Sequence, residues 1–183
     1  MRLLAPALAL TLALLPAAAN PALPTGRIAP DFSTSGALAG RPFQFSLRQA
    51  LRRGPVVVYF FPRAFTEGCT LEAHAFSEAA ADFRRAGAQV IGLSADDYDR
   101  LRRFSVEACR NAFPVGMASR SIIRDYDVRF SAERGNFTNR TSYVIAPNGR
   151  IIYSYSDLNW RNHVTNTLRA VRQWHAQQRR RRG

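Results

Sequence analysis

Apolar residues run unbroken through PVVVYFF (Pro55–Phe61), a β-branched and aromatic stretch of strand length with no polar alternation. A strand of that pattern is buried on both faces and sits at the centre of a sheet. AQVIGLSA (Ala88–Ala95) predicts a second buried strand, Phe113–Met117 a short one, and Pro42–Leu47 an edge strand followed by a helical or loop connection over Arg48–Arg53. Between the two buried strands, Leu71, Ala75, Ala79 and Phe83 recur every fourth residue and predict a helix over Thr70–Ala86, ended by Gly87. Asp96 or Asp97 caps a next helix through Leu101 and Phe104 to about Cys109, and Arg120–Tyr126 predicts another short helix. Thr141–Ala146 and Arg150–Tyr155 flank Pro147-Asn148-Gly149, a hairpin turn signal. A last helix from about Asn159 to Gln178 places Val164, Leu168, Val171 and Trp174 on one side. Strand–helix alternation followed by a hairpin and a helix implies an α/β domain. Its central mixed β-sheet carries helices on both faces, with right-handed parallel crossovers, as a thioredoxin-like fold requires.

The ends of the chain differ from this middle. Met1-Arg2 precedes LLAPALALTLALLPAAAN, an apolar run with a small-residue A-x-A site at Ala17–Ala19, so residues 1–19 are expected to be a signal peptide. The run is too short and too broken by proline for a membrane span, leaving none after processing; an uncleaved N-terminal anchor is the other reading. Residues 20–40 are rich in proline, glycine and serine and predict an extended linker, leaving residues 41–178 as the domain and 179–183 as a basic tail. All 26 basic residues are arginine, giving a formal charge of +13. Arginine and alanine richness without lysine suits GC-rich bacterial coding, so the expected location is periplasmic or secreted. The Arg179–Arg182 run offers an anion-binding module that would need no catalysis, but interleaved aromatics are missing, so no specific nucleic acid is expected.

Candidate chemistry centres on two cysteines, Cys69 and Cys109. Without CxxC, and with three scattered histidines, they suit neither a zinc site nor a dithiol motif, so no metal or cofactor is expected. In an oxidising compartment they could form a structural disulfide. Cys69 falls between the carboxyl end of the central strand and the first turn of a helix, where ligands of open α/β sheets bind. Unpaired N–H groups there favour a nucleophilic thiolate. Thr66 can aim a hydroxyl at whatever the sulfur attacks, unless it only caps the helix. Pro62, with no N–H, can close the rim or simply stop the strand.

Pro62-Arg63-Ala64-Phe65-Thr66-Glu67-Gly68-Cys69 resembles the P-x-x-x-T-x-x-C signature of peroxiredoxins. Gly68-Cys69-Thr70, Glu72-Ala73 and Arg140-Thr141-Ser142-Tyr143-Val144-Ile145 are similar to an exported form of the bacterioferritin-comigratory (peroxiredoxin Q) branch of the alkyl hydroperoxide reductase/thiol-specific antioxidant family. The resemblance, over residues 28–175, implies a thiol-dependent peroxidase reducing hydrogen peroxide or organic hydroperoxides. It implies that Cys69 attacks the peroxide and becomes sulfenic acid, Arg140 holds the thiolate, Thr66 orients the peroxide and Pro62 shields it. Phe65 and Phe137 would shape the pocket. Many members of the branch carry a second cysteine five residues after the first, where this chain has His74. By resemblance to relatives that resolve with a cysteine on the second helix, Cys109 is expected to be the intramolecular resolving thiol, with one-cysteine chemistry or an inter-subunit or structural bridge as the other courses. The resemblance further implies a monomer and a thioredoxin-like or small-thiol reductant. A thioredoxin-like exported assembly factor or copper chaperone shares the fold but wants the second cysteine that Glu67–His74 lacks.

Overall fold

A computed structural model describes residues 22–130 and 137–182. The expected signal peptide therefore lies outside the described residues. Seven strands form one sheet: β1 (Ser33–Leu38), β2 (Arg41–Ser46), β3 (Val56–Phe60), β4 (Gln89–Ser94), β5 (Val115–Met117), β6 (Thr141–Ile145) and β7 (Ile151–Ser156). Their order is β2-β1-β5-β4-β3-β6-β7, with β2 at one edge and β3 inside. β3 pairs parallel with β4 (Tyr59 opposite Gly92) and antiparallel with β6 (Phe60 opposite Thr141). Every residue of β3 is buried, as its unbroken apolar run requires.

The helices are α1 (Leu47–Leu51), α2 (Glu67–Arg85), α3 (Tyr98–Glu107), α4 (Arg120–Asp125) and α5 (His163–Arg182), the last preceded by a 3₁₀ turn at Trp160–Asn162. Successive residues of β3 point to opposite faces. Val56, Val58 and Phe60 join a core with residues of α1 and α4, and Val57, Tyr59 and Phe61 join a second core with α2, α3 and α5. The mixed sheet with helices on both faces is the thioredoxin-like fold.

Several details depart from the sequence expectation, among them the start of α2, which lies at Glu67 and not Thr70 and so takes Cys69 into the helix. Part of the proline- and glycine-rich segment is no linker: Ser33–Leu38 is a sheet strand, paired along its length with β2 and at Gly36 and Ala37 with β5. A Cβ on Gly36 would stand 1.9 Å from the Val115 carbonyl oxygen, so the glycine that reads as a loop signal is what admits this pairing. In α2, Leu71 is 38% exposed, whereas Cys69, Glu72, Ala73, Phe76, Ala80 and Phe83 are buried. A strict spacing of four drifts around a helix of 3.6 residues per turn, and the true stripe alternates threes and fours. Finally, α5 does not stop at Gln178 but continues through the arginine run to Arg182.

Candidate active site

Cys69 is the third residue of α2, whose first turn has no intrahelical partners for its N–H groups. The loop from β3 into this turn is clamped from three sides. The Thr138 hydroxyl donates to the Phe61 carbonyl (2.7 Å), the Ala64 N–H donates to Asp96 Oδ2 (2.7 Å), and Arg100 Nη2 donates to the Ala64 carbonyl (2.7 Å). Phe65 is held at φ 64°, a left-handed conformation that bulky residues avoid, with Phe104 packed edge-on against its ring. The clamp fixes where the helix begins and hence where the sulfur points.

Arg140 precedes β6, whose first residue pairs with the last of β3, so the arginine stands beside the strand end that leads to Cys69. Its Nη2 lies 3.4 Å from the Cys69 sulfur, its Nη1 pairs with Glu72 Oε2, and its Nε donates to the Leu158 carbonyl (2.9 Å). A Cβ on Gly68 would stand 3.2 Å from Nη2 and 3.8 Å from Trp160 Cδ1, so the glycine gives the guanidinium its approach to the sulfur. Both charged partners are almost sealed, with Arg140 5% and Glu72 0% exposed. Burial alone would pull the guanidinium down; the charges of Glu72 and then Cys69 outweigh it, so its proton is held more firmly. Burial pushes the Glu72 carboxyl up to about 8 against the pull of Arg140.

Behind Glu72 sits His163, fully buried, its Nδ1 3.8 Å from Glu72 Oε1. Nε2 lies 2.9 Å from the Asp157 carbonyl oxygen, which only accepts, so Nε2 carries the proton and Nδ1 receives the Ser142 hydroxyl (2.8 Å). Burial lowers His163 to about 4, keeping the ring neutral.

The structure brings Cys69 and Arg140 together, as expected. Pro62 stands half-buried where the chain leaves β3. Thr66 occupies the N-cap position without a side-chain cap, and its exposed hydroxyl donates to the Arg63 carbonyl (3.0 Å). His74 is half-buried on α2 and, at 100° per residue, faces about 140° away from Cys69. Phe137 lies under the Arg63 guanidinium, 5.8 Å from ring centroid to carbon. Cys109 is not part of the cluster. It follows α3, beside Arg110 and Phe113, which contact Glu78 and Phe76 of α2. Glu78 is nine residues beyond Cys69, about 13 Å along the helix. Both thiols are free, and burial pushes that of Cys109 well above its ordinary range. Next to it, Arg110 and Asn111 hold a left-handed turn at φ 49° and 61°.

Glu72, Trp160 and His163 were not legible as site residues, although Glu72-Ala73 was visible as a motif element. A carboxylate on a helix reads as a solvent-facing charge, and a lone histidine reads as incidental.

Comparison with known proteins matches residues 25–154 to the AhpC/TSA family. Peroxiredoxin Bcp of Escherichia coli K12 is 29% identical over 148 residues, 79% of this chain and 92% of that protein. Chloroplastic peroxiredoxin Q of Gentiana triflora is 34% identical over 119 residues, 63% of this chain and 53% of its own. Among solved structures, peroxidoxin BcpB of Mycobacterium tuberculosis matches with a TM-score of 0.71 at 28% identity, covering 81% of this chain and 96% of that one. Xanthomonas campestris peroxiredoxin Q gives 0.67 at 25% identity, covering 77% and 90%. With this match over more than half its length, the chain belongs to the AhpC/TSA family as a thiol-dependent peroxidase.

Proposed function

We propose that this peroxidase works through Cys69 and resolves through Cys109. The Cys69 thiolate attacks the terminal oxygen of hydrogen peroxide or an organic hydroperoxide and the O–O bond breaks. Sulfur keeps one oxygen as sulfenic acid, and water or alcohol leaves after taking up a proton. The observation that carries the reading is the Arg140 guanidinium 3.4 Å from the sulfur at a helix N-terminus. A fixed cation there favours the thiolate and meets the charge that develops on the departing oxygen. In this role the Thr66 hydroxyl turns from the Arg63 carbonyl to the peroxide, and Pro62 screens the mouth.

Cys109 then condenses with the sulfenic acid, forming a disulfide and releasing water. Bridged cysteines need Cα atoms within about 7 Å. The first turns of α2, the segment after α3, or both must therefore open before the bond forms. The paired left-handed residues Arg110 and Asn111 favour that opening, because unfolding relieves their backbone strain. A thioredoxin-like protein or small thiol restores both thiols by exchange. The expected export signal supports a periplasmic or secreted setting for this cycle, and by family likeness the enzyme acts as a monomer.

Peroxide consumption with dithiothreitol as reductant tests the reading. Cys69→Ser is expected to lose turnover down to the rate of the reductant alone. Equal rates for wild type and variant contradict it.

A further inference from the structure

The end of the molecule opposite Cys69 has its own character. From Cys69, α2 runs to Arg84 and Arg85, about 24 Å away along its axis. There it meets the end of α1 and the last turns of α5 around a cleft of about 600 Å³ lined by Arg52, Arg53, Trp174, His175 and Arg179, among others. Asp82 takes up Arg85 and Arg172, and the Gln89 side-chain oxygen takes up Arg53. Arg52, Arg84, Arg179, Arg180 and Arg181 are exposed and have no carboxylate partner among the described residues. At the Cys69 pole, by contrast, Arg100 and Arg102 are paired with Asp96 and Asp99. Five such arginines thus gather at the far pole, whereas beside the Cys69 loop Arg63 and Arg161 are the exposed arginines with no carboxylate partner among the described residues.

α5 sharpens the contrast. Val171 is its last buried residue among those described, Trp174 is half-buried, and the described turns from His175 carry almost nothing into the core. Cations suit a helix C-terminus, but consecutive arginines repel one another. A broad negatively charged surface relieves that repulsion. It can meet arginines from α1, α2 and α5 at once, with Trp174 at the level where indole rings favour a membrane–water boundary. Nucleic acid fits less well, since aromatics to stack its bases are not interleaved with these arginines.

We propose that this arginine pole docks the enzyme on the anionic phospholipid surface of a membrane, with the Cys69 mouth turned away from the bilayer. The experiment is co-sedimentation of the full chain with vesicles of pure phosphatidylcholine, or of equal parts phosphatidylcholine and phosphatidylglycerol, at low salt. Binding is expected only to the anionic vesicles and is lost as salt approaches about 1 M. Each arginine near such a surface strengthens binding about fivefold. Changing Arg52, Arg84, Arg179, Arg180 and Arg181 to glutamine should thus weaken it by about three orders of magnitude. Peroxide turnover of that variant in solution stays unchanged, showing that it is folded. Arg102→Gln with Arg161→Gln, which removes charge at the Cys69 pole, leaves vesicle binding intact. Any of five results overturns the proposal. These are no binding to anionic vesicles, equal binding to both vesicle types, undiminished binding by the five-arginine variant, an equal loss per charge in the Arg102/Arg161 variant, and displacement by duplex DNA at matched phosphate concentration.

Discussion

Cys69 and Cys109 are buried alike, at 1% and 0% exposure, and both belong to the core between the sheet and α2, α3 and α5. Their surroundings nevertheless set them to different chemistry. Cys69 stands in the first turn of a helix with a guanidinium on its sulfur and a buried carboxylate behind that guanidinium. Cys109 lies among core residues such as Phe104, Phe113 and Val115, and burial pushes its thiol up with nothing to offset it. The difference teaches that exposure does not separate the two thiols; what separates them is a cation brought from 71 positions away, the contact on which the proposed role of Cys69 rests. Tyr59 belongs to both settings. Burial and then the charges of Cys109, Glu72 and Cys69 push its hydroxyl up, and that hydroxyl has no hydrogen-bond partner among the described residues.

The sharpest way to break the comparison is to remove the cation. Arg140→Met should lower kcat/KM for peroxide by about 10²–10³, with Arg140→Lys recovering part of it. A loss below about tenfold in steady-state kinetics would mean that the helix terminus suffices.

Next in size is acid sensitivity of the Cys69 setting. His163 titrates near 4 when folded against about 6.5 when unfolded, so between those values the unfolded chain binds more protons. Its contribution is whole above 6.5 and is lost as pH falls towards 4, by about 3 kcal/mol. Urea denaturation at several pH values should show that acid limb in the wild type and a flatter one in His163→Gln. Identical limbs would assign the acid sensitivity to other groups.

Tyr59→Phe should stabilise the fold by about 1 kcal/mol, because an unpartnered buried hydroxyl is costly. A clear destabilisation in the same assay would give that hydroxyl a partner. The smallest effect is expected from Cys109→Ser. The first reaction of Cys69 with peroxide, followed by stopped-flow tryptophan fluorescence, should change by no more than about twofold, since well-separated sites act independently. Mass mapping of the oxidised wild type should find a Cys69–Cys109 disulfide. A large slowing of that first step would place Cys109 inside the peroxide-reacting cluster.

Parts of this account were legible in the sequence because they rest on local chemistry. The unbroken PVVVYFF run could only be a central strand, Pro147-Asn148-Gly149 could only turn, and the eight residues ending at Cys69 carry their motif contiguously. Arg140 was legible through its resemblance to the family pattern. What stayed hidden depends on distant partners. Ser33–Leu38 is polar and glycine-bearing, and it becomes a strand only because β2 and β5 flank it. Glu72 on a helix looks solvated until Arg140 covers it. His163 is explained only when Ser142 and Asp157 converge on its two nitrogens. Where Cys109 sits, after α3 and beside residues that meet α2 at Phe76 and Glu78, depends on how α3 lies across the sheet, and the proposed disulfide depends on it in turn.

The central claim, that a neighbouring cation and not exposure selects Cys69, meets its most direct measurement in dimedone trapping of the Cys109→Ser variant and of Cys69→Ser after one equivalent of hydrogen peroxide. The account predicts sulfenic acid trapped on Cys69 in the first and no trapping on Cys109 in the second. Trapping on Cys109 at a comparable rate would contradict it.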